Sequence, residues 1–455
     1  MVGAVDKHFA LIGFMGAGKT TLGRELARLT QRPFVDTDEE IEKRFGPIGE
    51  LFERGEPEFR RIEEQLVAEA LAGPTSVIAL GGGAVLSEAT RKRLRRTAFV
   101  AWVPVDVDAA WSRVRDSGRP LARDRERFGH LFDVRADFYD LLAQGTGQDT
   151  DGLLLESLHV IFSSEIACDA AVIADERVAS LHELPVTDSV TLVTHVVPAG
   201  EQAKTPAVVE RLWSELDVGR DGWIIGFGGG STTDVAGFTA ATYLRGLRWV
   251  AVPTTLVGMV DAAIGGKTGI NTEQGKNLAG AFHFPWEIRL DPRFLVTLPA
   301  EERRAGMAEV VKTGLLAGEP LWELPEDEMI RACAAFKSAV VISDPYEREG
   351  RRAILNLGHT FGHALEAASG YELRHGDAVA LGLLAALRLS GRATDVVEEV
   401  LAPRPVRVDR DRAWETLLRD KKGRLRLVLL GDDGGYVTEV PEADVRQALD
   451  ELIAD

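Results

Sequence analysis

Phe9-Ala10-Leu11-Ile12-Gly13-Phe14-Met15-Gly16-Ala17-Gly18-Lys19-Thr20 decides the fold of the first part of this chain. Phe9 to Ile12 is a short apolar run that reads as a buried strand, and Leu22, Leu26 and Leu29 then fall on one helical face. Between strand and helix, Gly13 to Thr20 fits GxxxxGK(S/T) in the context that motif requires. Gly13, Gly16 and Gly18, with Ala17, let backbone N–H groups turn inward around phosphate oxygens, and the start of the helix, through Thr21, adds the positive end of its dipole. Lys19 would reach the outer phosphates of ATP and the Thr20 hydroxyl would bind Mg²⁺. A Gly-rich turn without a ligand gives no packing reason for the Lys-Thr pair.

A chain of 455 residues is too long for one ordinary core, so two or three folding units are expected. Apolar content of 45% and charged content of 27% are those of a globular enzyme. The net charge of −18 argues against nucleic-acid binding, which needs a basic surface to displace counterions. Cys168 and Cys333 lie far apart and form no CxxC, which disfavours a disulfide framework or a thiolate zinc site and fits a reducing cytoplasm. The motif begins too close to Met1 to leave room for a signal peptide. The longest apolar stretch, residues 378–387, falls far short of the roughly 20 residues of a membrane span and reads as a buried helix. A cytoplasmic location, with neither membrane nor nucleic acid as partner, is the expectation.

Strand and helix patterns alternate along the first two-thirds, which predicts α/β architecture with parallel sheets. Residues 76–80 and 98–103 read as further strands, 144–152 as a polar Gly-rich turn, and 153–162 as a short apolar helix. A second α/β pattern starts near Ala171 and continues through 223–226 and 249–252. Beyond about Leu298 the strand signals fade, and helical patterns dominate residues 300–392. The expected organisation is a P-loop domain over 1–162 (a parallel sheet flanked by helices), a Rossmann-like α/β subdomain over 163–298, and a mostly α-helical subdomain over 299–455.

Several residues narrow the P-loop reading. Phe34-Val35-Asp36-Thr37-Asp38 ends a strand with two acids on one side; Glu58-Phe59-Arg60-Arg61 lies in a helix; Gly81-Gly82-Gly83 follows a strand; Arg119-Pro120-Leu121 sits in a charged loop; Arg135 precedes Tyr139. Each alone has a bland reading as solvated charge or turn. Together, over about residues 8–162, they resemble shikimate kinase. The resemblance implies that Asp38 holds the reacting hydroxyl of shikimate, that Asp36 lies near Mg²⁺, and that Arg60 and Arg135 clamp the substrate carboxylate through planar guanidinium forks. Gly81, Gly82 and Gly83 would line the pocket, and Arg119 would be a lid residue stabilising charge on the transferring phosphoryl group. Where that family has an apolar last strand, this chain has Gln144-Gly145-Thr146-Gly147-Gln148, at the edge of the sheet and the adenine side of the site.

The second constellation begins with Gly228-Gly229-Gly230-Ser231-Thr232-Thr233-Asp234 after the strand at 223–227. It is not GxGxxG, and alone it suits a tight turn as well as a pyrophosphate. Asp261-Ala262-Ala263-Ile264-Gly265-Gly266-Lys267, leading into Asn271 and Gly275-Lys276-Asn277, is more informative: cationic and amide side chains in a Gly-rich, otherwise apolar setting suit an anionic ligand. His359 and His363 share a helical face, with His375 just beyond and Glu309 upstream. Carboxylate and imidazole at an open site suit a catalytic divalent ion, most often Zn²⁺, and spacing alone makes His359 and His363 the natural chelating pair.

The run from Arg352 to Glu366 (RAILNLGHTFGHALE), together with GGK and GKN, resembles 3-dehydroquinate synthase over about residues 170–445. This resemblance implies a Zn²⁺ or Co²⁺ held by Glu309, His359 and His375, with His363 an acid–base residue and Lys312 catalytic. It implies NAD contacts from Asp175, Glu201, Lys204, Gly229, Gly230, Asp234, Thr254, Thr255 and Lys276. The substrate, 3-deoxy-D-arabino-heptulosonate 7-phosphate, would be held by Asp261, Lys267, Asn277, Lys312, Arg352 and Asn356, with Arg245, Lys337 and either Lys421 or Lys422 as further contacts. The reaction so implied begins with transient oxidation of a ring alcohol, proceeds through loss of phosphate, and returns the hydride, so that NAD is not consumed. A homodimer through this domain would also follow. The strand or hairpin expected ahead of Ala170 is largely missing, residues 178–197 are compact, and 391–411 is shortened. The sum is a bifunctional enzyme of aromatic biosynthesis. The alternatives are a metal-dependent polyol dehydrogenase in the larger part, and an N-terminal nucleotide-binding regulatory module or another small-molecule kinase.

Overall fold

The computed structural model describes residues 5–117, 120–187, 190–420 and 425–454, and divides into two compact units, Met1–Val160 and Ile161–Asp455.

The first unit is built on a five-stranded sheet in the order Phe34–Asp36, Val77–Ala79, His8–Ile12, Ala98–Trp102, Gly145–Thr146, every pair parallel. The central strand is buried along its whole length, as its unbroken apolar run requires in a sheet covered on both faces. Three sequence expectations change. The stretch expected to be only a turn contains the edge strand Gly145–Thr146, which pairs through backbone groups with Ala101 and Trp102 and so needs no apolar side chains. The helix expected over 153–162 runs instead over Thr150–Ser157, because the Asp149 carboxylate accepts from the Gly152 N–H at 2.6 Å and starts it early. Asp36 and Asp38 do not share a strand face: the strand ends at Asp36, which caps helix Thr37–Phe45, and Asp38 lies in that helix's first turn.

The second unit contains a parallel sheet in which Glu287–Arg289, Arg248–Pro253, Trp223–Gly228, Ala170–Asp175 and Leu192–Val197 follow one another. The chain runs outward from Ala170–Asp175 to Leu192–Val197 and then returns to the other side of Ala170–Asp175. The strand order therefore reverses between Asp175 and Gly228, the place at which open parallel sheets form their ligand crevice. The strand Leu192–Val197 lies inside the segment read as merely compact. The GGK and GKN motifs lie on an antiparallel hairpin, Lys267–Thr272 with Gly275–Phe282. Helices Ala300–Ala317, Glu326–Ser343, His359–Ala368 and His375–Leu389 follow. A second hairpin, Arg426–Gly431 with Gly434–Glu439, interrupts the region expected to be helical. Its signal was present: Asp433-Gly434, with Gly434 at φ 102°, between alternating apolar residues.

No helix among the described residues is long and apolar enough to cross a membrane. Residues 378–387 lie within helix His375–Leu389 and are buried throughout. That helix crosses His359–Ala368 closely enough for a Cβ on Gly382 to overlap the Gly358 carbonyl, and for one on Gly362 to lie 3.1 Å from the Ala378 carbonyl. This approach sets the separation of His359 and His375, each the first residue of its helix. Gly382→Ala is expected to lower the urea unfolding free energy by about 1–3 kcal/mol, the usual cost of overpacking, and an unchanged unfolding midpoint would contradict the crossing described.

Candidate active sites

In the first unit a cleft of about 1290 Å³ is lined by Met15–Thr20 of the phosphate loop, Asp36, Asp38, Arg60, Glu63, Gly82, Gly83, Arg135 and residues 148–150. Gly13, Gly16 and Gly18 adopt φ of 147°, 81° and 93°, values that favour glycine. Lys19 curls over the loop and its Nζ donates to the carbonyls of Gly13 at 2.9 Å and Phe14 at 3.0 Å. The Thr20 hydroxyl donates to Asp36 Oδ2 at 2.6 Å, so the two residues expected beside Mg²⁺ already meet.

Gly81 to Gly83 form the floor at which the charged groups converge. A Cβ on Gly81 would lie 2.5 Å from Asp38 Oδ1 and 2.7 Å from Glu63 Oε1, one on Gly82 would lie 3.6 Å from Arg135 Nη1, and one on Gly83 would strike the Arg60 guanidinium. Arg60 is held by Glu63 at 2.7 Å and Glu56 at 3.1 Å. Tyr139 donates its hydroxyl to the Gly82 carbonyl at 2.6 Å and supports the floor from below. Arg135 is buried and its Nε has no hydrogen-bond partner among the described residues. Burial pushes the Glu63 carboxyl up, against the pull of Arg60. Sequence reading passed over Glu63. Its signal was an acid three residues after Arg60, on the same helical face. Arg119 lies outside the described residues.

In the second unit the crevice at the strand reversal collects the residues expected around NAD. A Cβ on Gly228 would lie 2.9 Å from Asp175 Cβ, one on Gly229 3.1 Å from Thr255 Cγ2, and one on Gly230 2.9 Å from Ala262 Cβ. The glycines thus serve close backbone packing as well as access to the start of helix Gly230–Thr242, which no side chain caps. Asp175 is largely occupied by backbone: Oδ1 accepts from Arg177 N–H at 2.9 Å and Oδ2 from Gly200 N–H at 3.3 Å. Glu201 accepts from Ser231 at 2.9 Å and Asn271 at 2.8 Å. Lys204 pairs with Asp234 at 2.6 Å and donates to Asn277, joining the hairpin to the nucleotide side. Burial raises the Asp234 carboxyl to about 6 despite Lys204. Thr254 is buried with its hydroxyl unpartnered among the described residues, and Thr255 caps the Gly258 N–H at 3.1 Å. Lys276 Nζ sits 4.2 Å from the centre of the Tyr371 ring.

Glu309, His359 and His375 bring one ligand atom each within 4.8 Å of one another. Both imidazoles address the same oxygen: His375 Nε2 is 3.2 Å and His359 Nε2 3.4 Å from Glu309 Oε1. One carboxylate and two imidazoles with an open side suit a catalytic divalent ion. The helical-spacing pair of His359 and His363 does not form such a group; His363 is exposed, its ring 5.4 Å from that of His359.

Behind this cluster runs a chain of buried charge. Lys312 Nζ pairs with Glu309 Oε2 and lies 3.6 Å from Asp261 Oδ1, which Lys337 approaches at 2.7 Å. Burial alone would raise the Asp261 carboxyl, but Lys337 and Lys312 hold it down at about 2. Burial also pushes Glu309 up, and Lys312 and His359 outweigh it, so that its carboxyl lies well below the usual range. Arg352 is buried, donates to the carbonyls of Pro345 at 2.8 Å and Gly265 at 3.1 Å, and has its Nε 3.7 Å from Glu347 Oε1, with no hydrogen-bond partner among the described residues. Lys267 pairs with Glu347. Asn356 is exposed at the end of the turn Arg351–Asn356.

Arg245 makes no hydrogen bond or ion pair with this cluster among the described residues. It is exposed beyond the C-terminal end of helix Gly230–Thr242, whose 13 residues span about 20 Å and whose other end faces the crevice. Lys421 and Lys422 lie outside the described residues.

The fold and geometry define two enzymes on one chain: a P-loop phosphotransferase, and a Rossmann-like enzyme whose helical half holds a carboxylate–imidazole cluster. Residues 15–153 match the family described as Shikimate kinase, 194–305 that described as 3-dehydroquinate synthase N-terminal, and 306–422 that described as 3-dehydroquinate synthase C-terminal. A 3-dehydroquinate synthase of Thermobifida fusca is 45% identical over 271 residues, covering 52% of this chain and 73% of that protein. One of Synechococcus sp. is 41% identical over 316 residues, covering 60% and 84%. Among solved structures, 2-deoxy-scyllo-inosose synthase complexed with carbaglucose-6-phosphate, NAD⁺ and Co²⁺ superposes with a TM-score of 0.55 at 25% identity, over 64% of this chain and 91% of that one. A 2-epi-5-epi-valiolone synthase from Streptomyces hygroscopicus with NAD⁺ and Zn²⁺ bound gives 0.54 at 25% identity, over 64% and 96%. The chain belongs to the 3-dehydroquinate synthase family and carries a shikimate kinase domain ahead of it. It is a bifunctional shikimate-pathway enzyme, a kinase and a phosphate-eliminating lyase, and the polyol dehydrogenase and regulatory-module readings are not favoured.

Lys337→Met is expected to destabilise the larger unit at neutral pH by about 3 kcal/mol, the low end for breaking a buried pair, because Asp261 keeps 27% of its side chain exposed. Asp261 has a depressed pKa, so the pair's stabilisation is present above the ordinary carboxylate pKa and is lost as pH falls through the folded value of about 2. The difference between wild type and variant in urea unfolding should therefore shrink as pH falls from about 4 towards 2; a difference independent of pH would sink this account.

Proposed function

We propose that the first unit transfers the γ-phosphoryl group of Mg²⁺-bound ATP to shikimate, and that the second converts 3-deoxy-D-arabino-heptulosonate 7-phosphate to 3-dehydroquinate with NAD and Zn²⁺ or Co²⁺. In the kinase, Asp38 accepts the proton of the attacking hydroxyl, with Gly81 leaving the space beside it that a side chain would close. Arg60 and Arg135 receive the shikimate carboxylate, and Lys19 turns from the loop carbonyls to the phosphates. Thr20 and Asp36 are the Mg²⁺ side of the site, and Arg119 closes over the phosphoryl group. The observation that carries this reading is the convergence of Asp38, Arg60 and Arg135 on Gly81–Gly83.

In the synthase, Glu309, His359 and His375 would hold the metal, while Gly229, Gly230, Asp234, Thr254, Thr255, Glu201, Lys204, Asp175 and Lys276 would surround NAD. When bound, the metal supplies Lewis acidity to a substrate alcohol and the nicotinamide supplies a reversible hydride acceptor. The chain's own part is to bind and orient. Lys267, Arg352 and Lys312 offer cations to a substrate that carries both carboxylate and phosphate, with Asp261, Lys337, Asn277 and Asn356 as polar contacts and Lys421 or Lys422 closing over it. His363, exposed at the site, would exchange a proton with the substrate. Arg245, exposed past the end of helix Gly230–Thr242, would be a further substrate contact, and a homodimer through this domain is part of the reading. A cytoplasmic setting suits both reactions.

Two measurements test the halves separately. Asp38→Asn should reduce shikimate-dependent ADP formation by about 100- to 10,000-fold, with phosphate release from the heptulosonate phosphate unchanged. That phosphate release should require NAD⁺, vanish with a chelator, return with Zn²⁺ or Co²⁺, and leave no accumulated NADH. Accumulating NADH would instead favour a net dehydrogenase.

A further inference from the structure

Glu366 belongs to none of the roles above, yet it is a carboxylate buried in the wall of the metal site. It lies in helix His359–Ala368 between the buried apolar residues Leu365 and Ala368, and is itself 7% exposed. A charge there is costly unless it is paired. Among the described residues its carboxylate caps no helix end. It faces His375: Oε1 lies 3.5 Å from His375 Nδ1, the outer limit of a hydrogen bond. The opposite nitrogen of that ring, Nε2, is 3.2 Å from Glu309 Oε1. The imidazole of His375 is thus strung between two carboxylates. His363 on the same helix and Lys276 on the hairpin are the other cations near Glu366. Burial pushes its carboxyl up, and the hydrogen bond and charge of His375, with the charges of His363 and Lys276, together outweigh this and hold it below its ordinary value.

We propose that Glu366 is a positioning residue for the metal site: its carboxylate accepts the Nδ1–H of His375, fixes that ring's tautomer and rotation, and leaves the Nε2 lone pair directed to the side shared by Glu309 and His359. A histidine that donates one ring N–H to a carboxylate is a stronger and better-aimed ligand through the other nitrogen. His375 needs this help more than His359. It starts its helix and leaves 40% of its side chain exposed, whereas His359 leaves 11% and has Nδ1 beside the Leu357 carbonyl at 3.2 Å. The two metal-facing imidazoles are then oriented by different means, His359 by its own backbone and His375 by Glu366.

This inference rests on the reading of Glu309, His359 and His375 as metal ligands, and the test separates the two. Zn²⁺ affinity of the full chain is measured by competition with a chromophoric chelator, alongside the visible d–d absorption of the Co²⁺-loaded protein, for wild type, Glu366→Gln and Glu366→Ala. Wild type should bind one equivalent. Glu366→Ala should bind about 10- to 100-fold more weakly with a displaced Co²⁺ spectrum, and Glu366→Gln, which keeps an acceptor and the volume, should lose less. Urea midpoints of the metal-free proteins report folding, and Glu366→Gln serves if Glu366→Ala does not fold. Wild type without tight metal binding would remove the ligand reading itself. Wild-type affinity and spectrum in a folded Glu366→Ala would overturn the positioning role alone. So would a second wild-type equivalent lost in Glu366→Gln, since Glu366 would then be a ligand with His363.

Discussion

The Lys312 ammonium, enclosed between Glu309 and Asp261, is the interaction on which the larger unit depends. Its side chain is 2% exposed, and such a cation is tolerable only with carboxylates at hand. Those carboxylates come from different places: Glu309 from the same helix, Asp261 from the turn that follows the nucleotide-side strand. Satisfying one buried charge therefore fastens the helical half to the end of the sheet. It also keeps Glu309 ionised, the state in which a carboxylate can meet two imidazoles and a divalent ion.

Around that fixed point the glycines control distance. Gly358, Gly362 and Gly382 let two helices approach until their first residues, His359 and His375, face one carboxylate oxygen. Gly228 to Gly230 let three strand ends crowd together at the reversal of strand order. In the smaller unit Gly81 to Gly83 do the same for Asp38, Arg60, Glu63 and Arg135. In each case the absence of a Cβ lets separate elements approach more closely than another side chain would allow.

Legibility in the sequence followed the range of the interactions. The P-loop was legible because its function is carried by consecutive backbone groups and two adjacent side chains. The central strands were legible as unbroken apolar runs. The edge strands Gly145–Thr146 and Leu192–Val197 were not, because an edge can be paired by backbone alone, whatever its side chains. The late hairpin Arg426–Gly431 with Gly434–Glu439 was obscured by the helical patterns around it, although its Asp-Gly turn was written plainly.

By itself the sequence determined the two chemistries, since motif residues at fixed spacing carry them: the phosphate loop, the acids and arginines of the kinase, and the GGK, GKN and HTFGHALE runs. Only the tertiary structure decided which histidines meet. Helical periodicity pairs His359 with His363, whereas the carboxylate that collects imidazoles lies 50 residues before His359, on another helix, and selects His375. Tertiary structure also brought Glu63 and Glu366 against the groups they serve, Arg60 and His375. Each of those outcomes depends on where helices cross and how long they are, and spacing along the chain does not encode the direction in which a side chain meets a neighbour from a distant element.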